Sequence, residues 1–363
     1  MEFAGYKILD KNFEFKPMNI SFNELITDLD VSAEESDKGY IIPGLIDVHS
    51  HGAVGQDFMN VTDFESYLYF MYSKGITTFY PTTVSATLTD LLTTVSMYKD
   101  LHEISGINIE GPFISEEYKG AHAKETLCEA QIEWLYKLQE ASGNKIKIIT
   151  VAPEIGQNME FIHKASKIGI HVSIGHTSCD YTTAVSAFES GADRVTHLFN
   201  AMPPLHHRKS GLIGAAFDKD VFVEIIADGI HVAPEVVRLA YKAIGSDRLM
   251  LISDSMSATG LSDGKYKLGS LDVEVKDKIA YTVINGALAG STNTIYDMVL
   301  SAIKIGIPKE EAVKMATFTP AKSVCETEIG VLEIGKRADL VVLDNDFSVL
   351  KTIKNGQIVY SVD

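Results

Sequence analysis

The chain has 363 residues, of which 45% are hydrophobic and 22% charged, so general disorder is excluded and one large core plus a smaller one is expected. Its formal net charge of −17 argues against nucleic acids and anionic membranes as partners, because such a surface repels phosphate groups. No apolar run approaches the roughly 18 residues that suggest a transmembrane helix.

The N-terminal region, residues 1–43, alternates apolar and polar residues and predicts strands of a small β domain. Its start, MEFAGYKILDKNF, lacks the basic and apolar segments of a secretory signal. The three cysteines, Cys128, Cys179 and Cys325, lie far apart and form no CxxC pattern. Both features are typical of a protein in the reducing cytoplasm, where we expect this chain to be located.

The central region alternates short β-branched runs with helical patterns that mostly end at a glycine, as helices capped in the left-handed conformation do. Eight such βα units over about 250 residues have the size and order of a (β/α)8 barrel. The predicted strands are GLIDVHS (44–50), GITTFYPT (75–82), GINIEG (106–111), KIKIITVAPE (145–154), GIHVSIGHT (169–177), RVTHLFNA (194–201), VFVEIIADGIH (221–231) and RLMLISDS (248–255). The helical patterns include residues 63–75, 157–169, 181–192 and 233–245.

The C-terminal region, residues 325–363, again alternates apolar and polar residues, with a turn signal at Asn355-Gly356. The sequence therefore predicts an α/β fold with a TIM barrel over residues 44–324. A small β-sandwich domain, built from residues 1–43 and 325–363, is expected to flank it.

Polar residues occur where the predicted barrel strands end, which is where barrels of this kind carry their active sites. In DVHSHG the two histidines stand two apart, so on a strand both imidazoles point to the same face. Four imidazoles and two carboxylates at one mouth are typical of a site for Zn²⁺, Fe²⁺ or a similar divalent ion. The residues are His49 and His51 on the first strand, Glu110 on the third, His176 on the fifth, His197 on the sixth and Asp254 on the eighth.

Each of these residues also has a simpler interpretation, since a lone histidine is more often a hydrogen-bonded core residue than a ligand. The joint placement of all six at strand ends favours the metal site. By contrast His102, His163 and His171, in helices or at a strand start, are expected to be structural. Lys147 on the fourth strand is an alternative bridging ligand if carbamylated, but Glu110 is preferred because it already supplies a carboxylate at the mouth.

Several motifs resemble those of one known family. PGLIDVHSHG, NIEGPF, KGAH, IGHT, THLFNAMPPLHHR, ADGIHV, ISDSMSATG and GALAGS occur in the order seen in N-acetylglucosamine-6-phosphate deacetylases of the amidohydrolase superfamily. HxH and the closing IGVLEIGKRADLVVLD are shared by many amidohydrolases, whereas IEGPF, THLFNAM and DGIHV together are specific. The resemblance implies a homodimer that hydrolyses N-acetyl-D-glucosamine 6-phosphate to D-glucosamine 6-phosphate and acetate, in amino-sugar catabolism and cell-wall sugar recycling.

The resemblance also implies catalytic roles. Glu110, His176 and His197 would hold the main metal, and Asp254 would be the general base and then the general acid for a metal-bound hydroxide. Some members of the family lack both histidines of the first strand and bind one metal. Because both are present here, the resemblance implies one or two divalent ions.

The resemblance extends to substrate-binding positions, and His122 is also a candidate to stabilise the oxyanion. Because the chain is acidic overall, a phosphate group must be bound by donors at one local site. Arg208 offers the planar set of N–H donors of its guanidinium group, and His231 offers another donor. In such enzymes the phosphate pocket is often completed across a dimer. His206 and His207 receive no role. The implied positions are Ala121, His122, Asn200, Ala201, Arg208, Asp228, His231, Leu288, Ala289 and Gly290.

Two other functions remain open from the sequence. A cyclic amidase of the dihydroorotase type would share the barrel, HxH and Asp254, but more often bridges its metals with a lysine and does not need THLFNAM or DGIHV. A non-catalytic barrel would have no reason to retain Glu110, His176 and His197 together with Asp254. Metal analysis of the purified protein separates that second class.

Overall fold

A computed structural model describes residues 1–32 and 37–362 of the chain. These residues form an eight-stranded sheet, a seven-stranded sheet, a three-stranded sheet and a two-stranded hairpin. None of the helices in the described ranges combines the length and apolar character needed to cross a membrane.

The N-terminal strands show the predicted alternation of buried and exposed side chains. In the second strand Met18, Ile20 and Phe22 are buried while the residues between them are partly exposed, so one face of the sheet packs on a core. The first strand pairs antiparallel with the second and parallel with the fourth. The four strands are β1 (Glu2–Leu9), β2 (Phe15–Phe22), β3 (Ile26–Val31) and β4 (Tyr40–Pro43).

The eight-stranded sheet is the predicted barrel, which is confirmed. Its ladder pairs are parallel and its strands are almost entirely buried, as expected for strands covered on both faces. A short hairpin of β6 (Gly52–Ala53) and β7 (Gln56–Asp57) follows the first barrel strand. The barrel strands are β5 (Leu45–Ser50), β8 (Ile76–Thr83), β9 (Ile107–Glu110), β10 (Ile146–Val151), β11 (His171–Ile174), β12 (Ala192–Val195), β13 (Phe222–Ile225) and β14 (Leu249–Leu251).

The barrel closes between its first and last strands at the mouth. Ser50 and Ser255 form a parallel bridge, and the Asp254 backbone N–H donates to the His49 carbonyl over 3.0 Å. Farther from the mouth, the backbone carbonyls of residues 315 and 316 accept hydrogen bonds from the last and the first barrel strand, β14 and β5. At the mouth, the backbone that completes the barrel therefore includes that of His49 and Asp254, which the sequence places in the active site.

Helices cover the outside of the barrel, and the four helical patterns identified in the sequence are confirmed. Two of them begin after a capping aspartate, Asp63 or Asp180, whose side chain accepts the backbone N–H three residues on. The helices are α1 (Phe64–Ser73), α2 (Leu88–Met97), α3 (Ile132–Ser142), α4 (Asn158–Lys167), α5 (Tyr181–Glu189), α6 (Gly211–Asp218), α7 (Pro234–Ile244), α8 (Ile295–Lys304), α9 (Lys309–Lys314) and α10 (Phe318–Ser323), with one 3₁₀ turn at Lys124–Thr126.

A three-stranded antiparallel sheet follows the last barrel strand and was not predicted. It consists of β15 (Gly264–Leu268), β16 (Leu271–Lys276) and β17 (Ile279–Thr282). Its buried side chains form a separate apolar cluster, which includes Val84 from the end of β8 and Ala289. The insert therefore packs against the rim of the barrel mouth.

The C-terminal strands complete the small β domain. They are β18 (Leu340–Leu343), β19 (Val349–Lys354) and β20 (Gln357–Ser361), and they extend the N-terminal strands into one mixed sheet of order β20-β19-β18-β4-β1-β2-β3. Side chains from both chain ends share its core. The prediction of a β domain built from both termini is thus confirmed, while its boundaries at residues 43 and 325 stay predictions.

Candidate active site

Three of the predicted site residues lie just beyond the strands that position them. His176, His197 and Asp254 follow the last residues of β11, β12 and β14, and their φ angles are 47°, 26° and 48°. Non-glycine residues rarely adopt positive φ, and such strain, about 1–3 kcal/mol per residue, persists only where the surrounding structure fixes it. The loops at the mouth, and not the strands, therefore determine the orientation of these side chains.

Glu110, His176 and His197 form one compact group of buried ligand atoms. The Nε2 atoms of the two histidines are 3.0 Å apart, and they lie 3.1 and 3.0 Å from Glu110 Oε1. Ligands bound tetrahedrally at zinc distances of about 2.0–2.1 Å are separated by about 3.3 Å. The three atoms thus have nearly the spacing of three ligands on one ion.

His49, His51 and Asp254 form a second such group. His51 Nε2 is 3.2 Å from Asp254 Oδ1, and His49 Nε2 is 3.6 Å from the same oxygen. Glu110 lies between the two groups, because its Oε2 is 3.2 Å from His51 Nε2 while its Oε1 faces the first group. The Glu110 carboxylate therefore contacts both groups, and would contribute to holding an ion in either of them.

The donor set fits a divalent ion. His49 Nε2 is fully buried and makes no hydrogen bond to any described residue, which is costly for an imidazole nitrogen. Imidazole nitrogens and carboxylate oxygens suit Zn²⁺ and Fe²⁺. These residues could hold one ion on Glu110, His176 and His197, and a second on the His49 side.

Burial disfavours the charged forms of these groups, but their mutual attractions outweigh it. Despite burial, the hydrogen bond from His51 and the charges of His49 and His51 lower the pKa of Asp254 to about 2. Despite the same burial, hydrogen bonds to Asp254 and Glu110 raise the pKa of His51 to about 9. Opposed by its burial, the charges of His49 and His176 hold the pKa of Glu110 well below its usual range. At neutral pH a divalent ion would therefore displace a proton from His51.

Backbone carbonyls orient two of the histidines. His51 Nδ1 lies 3.1 Å from the Thr82 carbonyl and His176 Nδ1 lies 2.9 Å from the Tyr118 carbonyl. Each Nδ1 must carry a proton to donate to its carbonyl, so each ring would bind an ion through Nε2, on His51 once the ion has displaced the proton from that nitrogen.

A cavity of about 260 Å³ opens above the ligand groups. Of the predicted substrate-binding residues, those that line it are Ala121, His122, Asn200, Ala201, His231, Leu288 and Gly290. Lining residues that the sequence analysis did not single out are Val84, Gly120, Leu268 and Ala287. Ala289, also a predicted substrate-binding residue, does not line the cavity and is buried in the apolar cluster of the three-stranded insert.

His122 is held as a neutral hydrogen-bond donor. Its Nδ1 accepts the Ser85 backbone N–H over 3.0 Å, so the proton resides on Nε2, which lies 3.4 Å from Glu110 Oε2. Burial lowers the pKa of His122 to about 4, although Glu110 opposes this shift. An uncharged N–H therefore points at the centre of the site.

His231 lines the cavity, and Asp228 holds the His231 side chain by a hydrogen bond. One Asp228 oxygen is 2.8 Å from His231 Nδ1, and the other accepts the backbone N–H groups of Ile230 and His231. Burial lowers the pKa of His231, but the hydrogen bond and charge of Asp228 raise it overall. The sequence placed Asp228 among the substrate contacts, whereas in the structure it contacts His231 and does not line the cavity.

Two basic residues considered in the sequence analysis lie outside the cavity. Arg208 is on an exposed loop, with its Nη1 2.6 Å from His207 Nε2. Lys147 is the second residue of β10, at the end of the strand opposite the mouth, and belongs to neither ligand group. Among the described residues that line the cavity there is no lysine or arginine.

The amidohydrolase family model matches residues 40–359. The chain belongs to the amidohydrolase family. The predicted family and the enzyme class, a hydrolase of amide bonds, are thereby confirmed.

Three relatives of this amidohydrolase carry the same name. The N-acetylglucosamine-6-phosphate deacetylase of Vibrio furnissii is 37% identical over 332 residues, which are 88% of this chain and 83% of the relative. The crystal structure of N-acetylglucosamine-6-phosphate deacetylase from Thermotoga maritima is 33% identical, with a TM-score of 0.94 over 100% of both chains. A mutant of the Mycobacterium smegmatis deacetylase, solved with N-acetyl-D-glucosamine-6-phosphate, is 31% identical, with a TM-score of 0.94 over 99% of each chain.

Glu224 is a site residue of this amidohydrolase that the sequence analysis missed. Its side chain is almost fully buried in β13, and its Oε2 lies 3.0 Å from His49 Nδ1. The available signal was a single glutamate within the apolar run VFVEIIA of the seventh strand. A buried carboxylate behind a histidine fixes the ring and increases its basicity as a ligand.

Glu224→Ala is therefore expected to weaken ion binding on the His49 side by about 10- to 100-fold, the usual effect of losing such a partner. Chelator competition with the purified protein, read by elemental analysis, measures this change. Glu224→Gln, which retains an acceptor oxygen for His49, is the matched variant and should lose less. Unchanged affinity in the alanine variant would contradict a supporting role for Glu224.

Proposed function

We propose that the chain hydrolyses N-acetyl-D-glucosamine 6-phosphate to D-glucosamine 6-phosphate and acetate, in amino-sugar catabolism and cell-wall sugar recycling. The observation that carries the proposal is the convergence of Glu110, Asp254, His51, His176 and His197 at the floor of one cavity, with His49 buried beside them in the second ligand group. The names of the similar proteins, described above, support the choice of substrate.

The two ligand groups would hold one or two divalent ions, Zn²⁺, Fe²⁺ or similar, and a bound ion supplies water acidified towards a pKa of about 7. Asp254 is ionised at neutral pH, so its carboxylate takes the proton of the attacking water. The same carboxylate then delivers that proton to the departing amine, which must be protonated to leave. His122 donates its Nε2 hydrogen to the amide oxygen as negative charge develops there.

We assign the sugar to the part of the cavity formed by Asn200, Ala201, His231, Leu288 and Gly290. His231, positioned by Asp228, donates to the sugar or its phosphate. The polar groups of these residues supply orientation, while the ligand groups at the floor receive the amide.

The phosphate needs a cation that the cavity lining does not include. We infer that Arg208 of a second copy of the chain supplies it, which accounts for the exposure of Arg208 in one copy. A homodimer in the cytoplasm, without nucleic-acid or membrane partners, is therefore part of the proposal.

Arg208→Ala is expected to lower kcat/KM for the phosphorylated substrate by roughly 10- to 150-fold, because hydrogen bonds to charged groups contribute about 1.5–3 kcal/mol. Activity on unphosphorylated N-acetylglucosamine should barely change. Lys209→Ala, which removes the neighbouring exposed cation, is the matched control and should resemble wild type on both sugars. An equal loss on both sugars in Arg208→Ala would mean that Arg208 supports the fold or the catalytic centre.

Acetate release from purified protein tests the proposed function directly. We expect N-acetylglucosamine 6-phosphate to be cleaved with a far higher kcat/KM than its unphosphorylated form, with N-acetylgalactosamine 6-phosphate as the epimeric comparison. Hydrolysis of dihydroorotate without acetate release would favour a cyclic amidase. A protein that contains no metal and releases no acetate would favour a binding role.

A further inference from the structure

One wall of the cavity is apolar and comes from the unpredicted insert. Val84 follows the last residue of β8, and Leu268 ends β15; both are nearly buried and both line the cavity. They belong to one apolar cluster with Ala121, which also lines the cavity. This wall lacks hydrogen-bonding side chains, in contrast to the ligand groups at the floor.

The insert is held tightly against Val84. At Gly269, where φ is +55°, a Cβ atom would lie 2.4 Å from Val84 Cγ2, so only glycine permits this approach of the backbone. The Gly269 N–H also donates to Asp57 Oδ2 over 2.7 Å, which ties the turn between β15 and β16 to the hairpin after β5. The wall is therefore fixed in place from two sides.

A second cavity lies directly behind this wall. It has a volume of about 500 Å³, and its lining includes Val84, Ser85 and Gly269. Val84 lines both cavities, whereas Leu268 lines only the first and Gly269 only the second, so the Val84 side chain lies between them.

The topology indicates which part of the substrate meets this wall. Asn200 and Ala201 follow β12, and in the eight-stranded order β12 lies four strands from β8, across the barrel from Val84. His122, the donor assigned to the amide oxygen, is anchored by the backbone of Ser85, next to Val84. With the sugar on the β12 side and the amide at the floor, the acyl group extends towards Val84 and Leu268.

We propose that Val84 and Leu268 are the residues that restrict the N-acyl group to acetyl, by closing the catalytic cavity off from the second cavity. This proposal rests on the proposed function, since it concerns the amide substrate of the same site. In a packed apolar wall, an added methylene has no space without displacing neighbours. One methylene too many or too few in such a pocket typically changes kcat/KM by about 10- to 200-fold.

The test compares N-acetyl-, N-propionyl- and N-butyryl-glucosamine 6-phosphate as substrates of the metal-loaded enzyme, read as release of the carboxylic acid. Wild type is expected to lose at least about 10-fold in kcat/KM from acetyl to propionyl, and more for butyryl. Val84→Ala and Leu268→Ala, made separately, are expected to raise the butyryl-to-acetyl ratio of kcat/KM about 10-fold or more, because each opens the partition.

Val273→Ala is the matched control, since Val273 is buried in the same cluster but lines neither cavity. It should keep the wild-type ratio. A wild-type ratio in both Val84→Ala and Leu268→Ala, or an equally raised ratio in Val273→Ala, overturns the proposal while the proposed function stands. If wild type releases no acid from any of the three substrates, the proposed function fails, and this proposal fails with it.

Discussion

Asp254→Asn is expected to lower kcat for deacetylation by about 10²- to 10⁴-fold, the usual contribution of general acid–base catalysis, while the ion on Glu110, His176 and His197 stays bound. The amide has the shape of the carboxylate, but it cannot accept the proton of the attacking water. Asp254 lies outside the first ligand group, so those three ligands remain intact in the variant.

The measurement is single-turnover acetate release together with the metal content of the same preparation. Asp193→Asn changes a carboxylate near the start of β12, at the opposite end of the barrel, and should keep wild-type turnover. Asp254→Asn protein that retains its metal and more than about a tenth of wild-type turnover would remove Asp254 from the role of general base.

The strand ends and their polar residues could be predicted because their signal is local. In DVHSHG a period of two places His49 and His51 on one face, and both belong to the second ligand group. The predicted strands that contain His176 and His197 ran past the observed ends by several residues. The positive φ angles of His176 and His197 could not be predicted from the sequence, because tertiary contacts impose this backbone conformation on residues that rarely adopt it.

The three-stranded insert was missed because its strands do not follow the βα period used to count barrel units. Residues 264–282 alternate exposed and buried side chains, as strands of a half-buried antiparallel sheet do, and lie within the range assigned to the barrel. Contact of Leu268 with the mouth depends on packing against Val84, which is far away in the chain. No local pattern encodes such a contact.

Roles that depend on a second contact layer were also beyond the sequence. Asp228 was predicted as a substrate contact, which stays a prediction, and the structure adds that its carboxylate is hydrogen-bonded to His231 and the adjacent backbone. Glu224 is recognisable only once β13 brings it behind His49. In both cases the residue type was visible in the sequence, but its partner was determined by the register of neighbouring strands.

His176→Ala and His197→Ala, made separately, are each expected to lose the main ion and activity together. Each removes one corner of the compact group on Glu110 Oε1, in which the three ligand atoms are separated by 3.0–3.1 Å. With one imidazole gone, two protein ligands remain, fewer than the three that catalytic zinc sites use. Elemental analysis and acetate release on the same samples measure both effects.

The double variant His49→Ala/His51→Ala is expected to behave differently, because it leaves Glu110, His176 and His197 complete. It should lose at most the second ion and retain measurable acetate release. In this variant Asp254 also loses the hydrogen bond from His51 and the charges of both histidines, which lower the pKa of Asp254 in wild type. The pKa of Asp254 should therefore rise towards its usual range. On acidification, activity should then decline at a higher pH than in wild type. A double variant that contains no metal, beside His176→Ala and His197→Ala proteins that keep theirs, would reverse the assignment and make the HxH pair the main metal site.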